Sequence, residues 1–214
     1  MEKETNAKVS LILAMVIFGT IGIFRKYILL PSGIVACARG ILGVAFLLVF
    51  IKIKKIKMDR EAIKKHLWIL LVSGGFIGLN WVLLFESYRY TSVAVATLCY
   101  YMAPIFVMIV SPFLLKEKLT VKKVLCVIVA LIGMVFVSGV LDGGISDVSE
   151  MKGILFGLGA AALYATVIMM NQKLREVPTY DKTIMQLGAA AVVLIPYILF
   201  VEDLSAVVLT PLIV

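Results

Sequence analysis

Residues 100–120 read YYMAPIFVMIVSPFLLKEKLT, an apolar run with a proline at position 104 and a Lys-Glu-Lys triplet at positions 116–118. In a water-exposed helix an interior proline costs roughly 3 kcal/mol, because it removes one hydrogen bond and clashes with the preceding turn. A membrane-spanning helix tolerates it, since neighbouring helices can bind the freed carbonyl. The stretch therefore predicts a membrane span that is kinked at Pro104 and leaves the bilayer at Lys116, with Thr120 as the N-cap of the next helix.

The composition of the whole chain supports this interpretation. Of 214 residues, 62% are hydrophobic and 16% are charged, and the mean hydropathy is +1.08. Ordinary soluble domains are about 45–50% apolar and about 25% charged. The chain has too little polar surface to cover a soluble globule, so the composition predicts an integral membrane protein.

Apolar windows of about 20 residues predict seven membrane-spanning helices. They cover residues 9–29, 33–51, 67–86, 92–115, 121–141, 153–171 and 183–201. The run lengths and the lack of sustained period-two alternation favour helices over barrel strands. No small-residue cleavage site follows the first apolar run, so it is predicted to be a span and not a signal peptide. The predicted fold class is all-α, a polytopic membrane helix bundle.

The loop charges predict the orientation of the bundle. Loops on one side contain sixteen Lys and Arg residues, whereas those on the other side contain four. Positively charged loops stay on the cytoplasmic side. We therefore expect a multi-pass protein of the plasma (inner) membrane with a cytoplasmic N-terminus. Because the charge lies in short loops, the net charge of +8 predicts contact with the lipid bilayer and no nucleic-acid partner.

Two segments of the chain share a residue spacing, which indicates an internal repeat. The first contains Lys26, Pro31 and Arg39, and the second contains Lys173, Pro178 and Gln186, each 147 residues later. This offset encloses five predicted spans, an odd number, so the second copy must enter the membrane from the opposite face. Such inverted-topology repeats are typical of secondary transporters, whose substrate path lies where the repeats meet.

Several motifs along the chain resemble a known family. They are FGTIGIFRK at 18–26, ARG at 38–40, NWVLLFESYRYTSVAVATLCYYMAPIF at 80–106, LLKEKLTVKKVLCVIVALIGMVFV at 114–137 and GLGAAALYATVIMMNQKL at 157–174. Together they resemble the EamA-like branch of the drug/metabolite transporter superfamily over nearly the whole chain. The resemblance implies ten helices in two inverted five-helix repeats and export of amino acids or related metabolites. Transport of a sugar phosphate or a drug, or a non-transporting membrane fragment, remains an alternative.

The length of the chain bears on this expected architecture. Residues 1–141 are predicted to form the first five-helix repeat, 142–152 an external loop and 153–214 the start of the second repeat. Two full repeats need about twice 147 residues, so about seven of the ten helices are expected here. We expect association, for example as a homodimer, to complete the bundle, and no transport by a monomer. In such a monomer the faces of Asn171 and Gln186 would be uncovered.

Polar and aromatic side chains at helical spacing mark the candidate substrate path. Ser73, Asn80 and Ser87 recur every seven residues, and the fourth and sixth spans carry similar stripes. Polar stripes turn inward because lipid offers them no partner, although they can serve only to join helices. Tyrosine rings suit pocket walls, whereas Trp68 and Tyr88 are predicted to lie in the interfacial belt. The candidate path residues are Arg39, Asn80, Trp81, Tyr100, Tyr101, Pro104, Tyr164, Asn171 and Gln186.

Arg39 is the most informative single residue. It lies seven residues from Ser32, so roughly 10 Å deep at about 1.5 Å per residue, where an arginine costs about 2.5–3.5 kcal/mol on insertion scales. The charge is expected to face protein or water, either to contact a substrate or to pair structurally. All thirteen acidic residues map to loops or helix ends, and the first span lacks the carboxylate of a small-multidrug exchanger. This pattern favours an anionic or zwitterionic small molecule over a cation.

Catalytic and cofactor functions are not indicated. An enzyme needs converging nucleophiles, bases or metal ligands, but the only histidine, His66, ends a basic loop. Cys37, Cys99 and Cys126 lie within spans and are predicted to be packing residues, so neither a metal nor another cofactor is expected. The seventh span contains no lysine for a retinal Schiff base, which argues against a retinal protein.

Overall fold

The computed structural model describes residues 8–17, 19–20, 28, 30–114, 120–138 and 148–202. The helices in these ranges are α1 (Lys8–Ile17), α2 (Ser32–Ile53), α3 (Arg60–Lys65), α4 (Leu67–Tyr90), α5 (Val93–Tyr100), α6 (Ala103–Leu114), α7 (Val121–Ser138), α8 (Val148–Lys173) and α9 (Thr179–Val201). Five segments are long and apolar enough to cross a membrane: α2, α4, α5 with α6 as Val93–Pro112, α8 and α9. The prediction of an all-α membrane bundle is confirmed.

Most predicted spans agree with the helices in position. The second, third, sixth and seventh are confirmed, and each helix is longer than predicted by three to seven residues. The first span was predicted to reach residue 29, but Ile28 and Leu30 are not helical. Residues 21–27 and 139–141, which belong to the first and fifth predicted spans, lie outside the described ranges, as does the predicted bilayer exit at Lys116.

Short polar residues begin several of these helices. The side chain of Ser92 accepts a hydrogen bond from the Val95 N–H at 3.2 Å at the start of α5. Thr120 precedes α7, and its carbonyl accepts the Val124 N–H at 3.2 Å. The predicted start of the fifth span at Thr120 is therefore confirmed. Such residues satisfy N–H groups that have no partner within the first turn of a helix.

The fourth predicted span is interrupted by a turn. Tyr101 and Met102 form a turn between α5 and α6, and Pro104 is the second residue of α6. At that position the missing N–H of proline is not needed, because the first N–H groups of a helix have no partner within it. The Met102 N–H instead donates to the Cys99 carbonyl at 3.1 Å. The predicted disruption is confirmed, but it lies just before Pro104 and divides the helix in two.

Helix α4 lies at the centre of the bundle and contacts α2, α5, α8 and α9. At one end of the bundle the Lys65 amine lies 2.6 Å from Glu176. At the other end the Ser87 hydroxyl donates to the Gly153 carbonyl at 2.7 Å. We call the first the basic end and the second the opposite end. Successive long helices therefore run in alternating directions, as in a multi-pass membrane protein.

Helices α2 and α9 are the two members of the predicted repeat, and they cross each other antiparallel. Each begins directly after a proline, Pro31 or Pro178, with the same φ of −53°. They meet where Gly40 faces the Leu187 carbonyl, since a Cβ built on Gly40 would lie 3.2 Å from that oxygen. Gly40 and Leu187 are themselves 147 residues apart, which is the offset of the predicted repeat. The inverted five-helix repeat itself stays a prediction.

Glycines let α9 approach α4 closely. A Cβ on Gly74 would lie 2.5 Å from the Gln186 carbonyl and 2.6 Å from the Ala189 Cβ, closer than real Cβ atoms come. A Cβ on Gly78 would lie 3.0 Å from the Ala190 carbonyl. Small residues that admit a neighbouring backbone are the usual means of helix association in a membrane. This spacing places the polar side chains of α4 within reach of α8 and α9.

Candidate functional site

Arg39 of α2 lies against the face of a tryptophan from α4. Its guanidinium carbon is 4.5 Å from the centroid of the Trp81 ring. A cation over an aromatic ring is stabilised by about 2 kcal/mol when the pair is shielded from water. The arginine is half-buried, so the expectation that its charge faces protein or water holds.

Two tyrosines lie near this cation. Arg39 is within electrostatic range of Tyr88 and Tyr100, and Tyr88 packs with Trp81 against the core formed by α2, α4 and α9. The Tyr100 ring stacks on Tyr164 of α8 with centroids 5.4 Å apart and an interplanar angle of 26°. Four helices, α2, α4, α5 and α8, contribute the residues that we call the Arg39 site: Arg39, Trp81, Tyr88, Tyr100 and Tyr164.

One face of α4 carries the three polar residues predicted to share it. Ser73, Asn80 and Ser87 are all buried, so the prediction that this stripe turns inward is confirmed. Asn80 donates from Nδ2 to the Ala160 carbonyl at 2.5 Å, and its Oδ1 lies 3.5 Å from the Tyr100 hydroxyl. Asn80 thus joins α4 to α8 and also touches the Arg39 site.

A second polar cluster lies closer to the basic end. The Gln186 Nε2 donates to the Ser73 hydroxyl at 2.7 Å and to the Asn171 Oδ1 at 2.8 Å. These three residues form the Gln186 cluster, in which Gln186 is only 5% exposed. The expectation that the Gln186 face would be uncovered is therefore wrong, because α4 and α8 cover it. The face of Gly157 and Ala161 on α8 is also buried, and Gly157 lies against Cys99 and Ser87.

Two predicted path residues are exposed. Tyr101 is 53% exposed, and Pro104 is exposed as well. The stripe predicted along the fourth span assumed a continuous helix, but the turn at Tyr101 and Met102 changes the direction of the residues that follow it. Its members therefore do not share one inward face.

Tyr88, which was predicted to lie in the interfacial belt, is half-buried and belongs to the Arg39 site. The sequence contained a signal for this position. Tyr88 follows Trp81 by seven residues, as Ser87 follows Asn80, so Tyr88 and Trp81 lie on the same face of α4. Trp68 is 77% exposed at the start of α4, as a belt residue would be.

The prediction that the three cysteines are packing residues is confirmed for two of them. Cys37 and Cys99 are buried, as predicted for packing residues, but Cys126 is exposed. Over the described ranges no group of three or more His, Cys, Asp or Glu side chains could hold a metal ion.

Comparisons with known proteins identify relatives of the chain. The family model described as "EamA-like transporter family" matches residues 6–139. The protein named "Uncharacterized transporter YxxF" of Bacillus subtilis (strain 168) is 31% identical over 201 residues, which cover 93% of this chain and 64% of that protein. An "Uncharacterized transporter" of Archaeoglobus fulgidus is 26% identical over 192 residues, which cover 89% of this chain and 65% of that protein.

A solved structure shows the same fold. It aligns with a TM-score of 0.64 at 20% identity and covers 82% of this chain and 61% of the other. The chain thus spans less than two thirds of the length of each of these proteins.

Proposed function

Because this chain belongs to the EamA-like transporter family, we propose that it takes part in secondary transport of small carboxylate-bearing metabolites, such as amino acids, by alternating access. It acts as a transporter and not as an enzyme. The observation that carries the proposal is the Arg39 guanidinium held over Trp81 within a membrane-spanning helix.

The Arg39 site is suited to an anionic group. A guanidinium presents its N–H donors in its own plane, and its face is free to stack on an aromatic ring. Trp81 covers the face, and the edge of a guanidinium has the geometry to bind a carboxylate through two parallel hydrogen bonds. Because the site is shielded from water, this interaction is stronger than it would be on a protein surface.

The distribution of acidic residues favours the same class of substrate. In the described spans the acidic side chains lie near helix ends, at Glu86, Glu150 and Asp181. Glu86 already pairs with Arg89 at 3.0 Å. A cationic substrate would therefore meet Arg39 without a carboxylate at the same depth, whereas an anion or zwitterion would be attracted.

Aromatic and amide groups extend the proposed path. The stacked rings of Tyr100 and Tyr164 supply an apolar wall with polar hydroxyls, as ligand sites commonly do. From Asn80 the polar face of α4 leads to Ser73, two helical turns or about 10 Å nearer the basic end. We propose that the substrate passes between the Arg39 site and the Gln186 cluster along this face.

The proposal includes an orientation. The basic end faces the cytoplasm of a cell bounded by the plasma membrane, and transport is outward. The sixteen-to-four asymmetry of loop charges supports this arrangement. A membrane-impermeant thiol reagent added outside should label a cysteine placed at Met151 and should not label one placed at Lys57. The reverse labelling pattern would contradict the orientation.

We further propose that the transporting unit is an assembly with additional helices, such as a homodimer. The exposed hydroxyl-bearing ring of Tyr101, at mid-length of the broken span, supports this view, because lipid offers a hydroxyl no partner. Robust saturable flux from a demonstrably monomeric 214-residue chain would contradict it.

The transport experiment starts with metabolite profiling of the medium around overexpressing cells, followed by flux measurements of each candidate in proteoliposomes. Arg39→Gln should lower flux at least about thirtyfold, because loss of one partner of a shielded charge pair costs about 2–5 kcal/mol. Arg39→Lys should restore only part of it, since an ammonium cannot bind a carboxylate edge-on. Arg89→Gln, an exposed arginine at the opposite end, serves as the matched control. Transport of a lipophilic cation alone, or unchanged flux in Arg39→Gln, would contradict the proposal.

A further inference from the structure

The segment that follows α2 alternates lysine with apolar residues on an exposed surface. Residues 52–58 read KIKKIKM, and Lys52, Lys54, Lys55 and Lys57 are all exposed. Ile53 is 72% exposed, although isoleucine is strongly driven out of water. We call residues 52–58 the basic segment. Exposed isoleucines between lysines, at the end of a membrane-spanning helix, are typical of chain that lies at the level of lipid headgroups.

The backbone of the basic segment is strained at one lysine. Lys55 has a φ of 54° and is the one non-glycine residue with positive φ in the part of the chain that the structure describes. The Ile56 N–H donates to the Ile51 carbonyl at 2.9 Å, which completes a helix-ending turn whose left-handed position usually holds glycine. Glycine adopts positive φ without strain, whereas lysine does not. Because a strained residue often has a functional role, we ask what the charged side chain of Lys55 does.

Nearby acidic groups do not neutralise these lysines. Asp59 accepts the N–H groups of Glu61 and Ala62 at the start of α3. Glu176 is bound by Lys65 at 2.6 Å and by His66 at 3.3 Å. Within the described ranges the four lysines of the basic segment form no ion pair. Their charge is thus available to an anion outside the protein.

We propose that the basic segment, together with the exposed ring of Trp68 at the start of α4, binds the headgroups of anionic phospholipids. The lysine amines bind the phosphates, while Ile53, Ile56 and Trp68 enter the boundary between headgroups and acyl chains. Each lysine near an anionic membrane surface strengthens binding roughly fivefold. The proposal concerns the bilayer and does not depend on which solute is transported.

The first experiment compares two lipid compositions. The full chain is placed in nanodiscs of phosphatidylcholine alone or of phosphatidylcholine with phosphatidylglycerol, and the midpoint of thermal unfolding is measured. The anionic lipid should raise Tm, and the variant Lys52→Gln/Lys54→Gln/Lys57→Gln should lose most of that increase. The matched control Lys122→Gln/Lys173→Gln, at other exposed lysines, should keep it. An equal increase in the triple variant and the wild type would overturn the proposal.

The second experiment uses the strain at Lys55. In phosphatidylcholine, Lys55→Gly should raise Tm by about 2 °C, because glycine adopts positive φ without strain. It should at the same time reduce the gain from phosphatidylglycerol. Lys54→Gly is the control, since Lys54 has a φ of −78° and glycine there should lower Tm in both lipids. A Lys55→Gly variant with an undiminished gain would overturn the role of this lysine.

The third experiment separates headgroups from free anions. Inorganic phosphate at millimolar concentration, added to phosphatidylcholine nanodiscs, should not reproduce the Tm increase caused by phosphatidylglycerol. If phosphate alone reproduces it, the surface binds soluble anions and the assignment to lipid is wrong.

Discussion

Arg39 and Gln186 occupy the same position in two helices that the predicted repeat relates, seven residues after the first residue of α2 and of α9. Their surroundings differ. Arg39 is charged and half-buried, and its guanidinium lies over the ring of Trp81. Gln186 is neutral and buried, and it donates to both Ser73 and Asn171.

This difference indicates that the two positions have different roles, one in transport and the other in helix packing. A buried neutral network whose members bond to one another fixes how helices pack. A charge inside a membrane protein is costly and marks a functional site. We therefore expect substitutions in the Gln186 cluster to change stability first, and substitutions in the Arg39 site to change transport first.

The largest expected effect tests the packing beside the Gln186 cluster. Gly74→Ala should lower the free energy of unfolding by about 3 kcal/mol, because the new methyl group meets the backbone of α9 and cannot be accommodated by a side-chain movement. Unfolding in sodium dodecyl sulfate, followed by circular dichroism, measures the change. Gly75→Ala is the matched control, since its Cβ would lie 3.5 Å from Val193 at ordinary contact distance. Equal stability of the two variants would show that α4 and α9 do not meet as described.

The next prediction compares the two equivalent positions directly. Gln186→Leu should lower the free energy of unfolding by about 1 kcal/mol, because it removes two hydrogen bonds within the membrane. Arg39→Leu should not lower it, since the loss of the stacking contact is offset by the loss of a charge that is costly to insert. The same unfolding assay measures both variants. A larger loss of unfolding free energy in Arg39→Leu than in Gln186→Leu would contradict the assignment of the packing role to Gln186.

A smaller effect is expected at Tyr100, which touches both α4 and α8. Tyr100→Phe should change the free energy of unfolding by less than about 0.5 kcal/mol, because the hydroxyl contact with Asn80 is long and the ring stack on Tyr164 remains. Tyr100→Ala should cost about 1 kcal/mol more than Tyr100→Phe, through loss of the aromatic pair. If the two variants were equally stable, the stack would not stabilise this site.

The smallest effect concerns Glu176, at the end of the bundle nearer the Gln186 cluster. Lys65, and secondarily His66, hold the pKa of the Glu176 carboxyl below its usual value. A lowered folded-state pKa contributes stability above the unfolded-state pKa of about 4.3, and this contribution is lost as the pH falls through the folded-state pKa. Glu176→Gln should therefore lose slightly less stability than the wild type on acidification below pH 5. Because the pair is exposed, salt should weaken the difference, and a difference that grows with salt would contradict this account.

Much of the fold could be predicted from local features of the sequence. Four of the seven spans agree with helices. Pro31 and Pro178, which share the spacing of the predicted repeat, directly precede α2 and α9. These predictions depend on runs of apolar residues and on proline chemistry, which act along the chain. The break before Pro104 was underestimated, because a proline permits either a kink or a new helix start and the neighbouring helices decide which one forms.

The candidate site was harder to predict. The buried face of Ser73, Asn80 and Ser87 followed from its seven-residue spacing, but the partners of these residues did not. The burial of Gln186 and the position of Tyr88 near Arg39 depend on the rotation of each helix about its own axis and on the distance between crossing helices. The approach of α4 to α9 at Gly74 sets that geometry.

The sequence was enough to predict a membrane helix bundle with an arginine inside one of its spans, because hydropathy, helix length and charge are properties of the chain. The stacking of Arg39 on Trp81 and the hydrogen bonds of Gln186 with Ser73 and Asn171 are seen only in the folded structure. Residues far apart in sequence meet there through contacts between helices. Lipid tails solvate apolar side chains as well as a neighbouring helix does, so no hydrophobic driving force brings the helices together. The contacts follow instead from close packing and hydrogen bonding between helices.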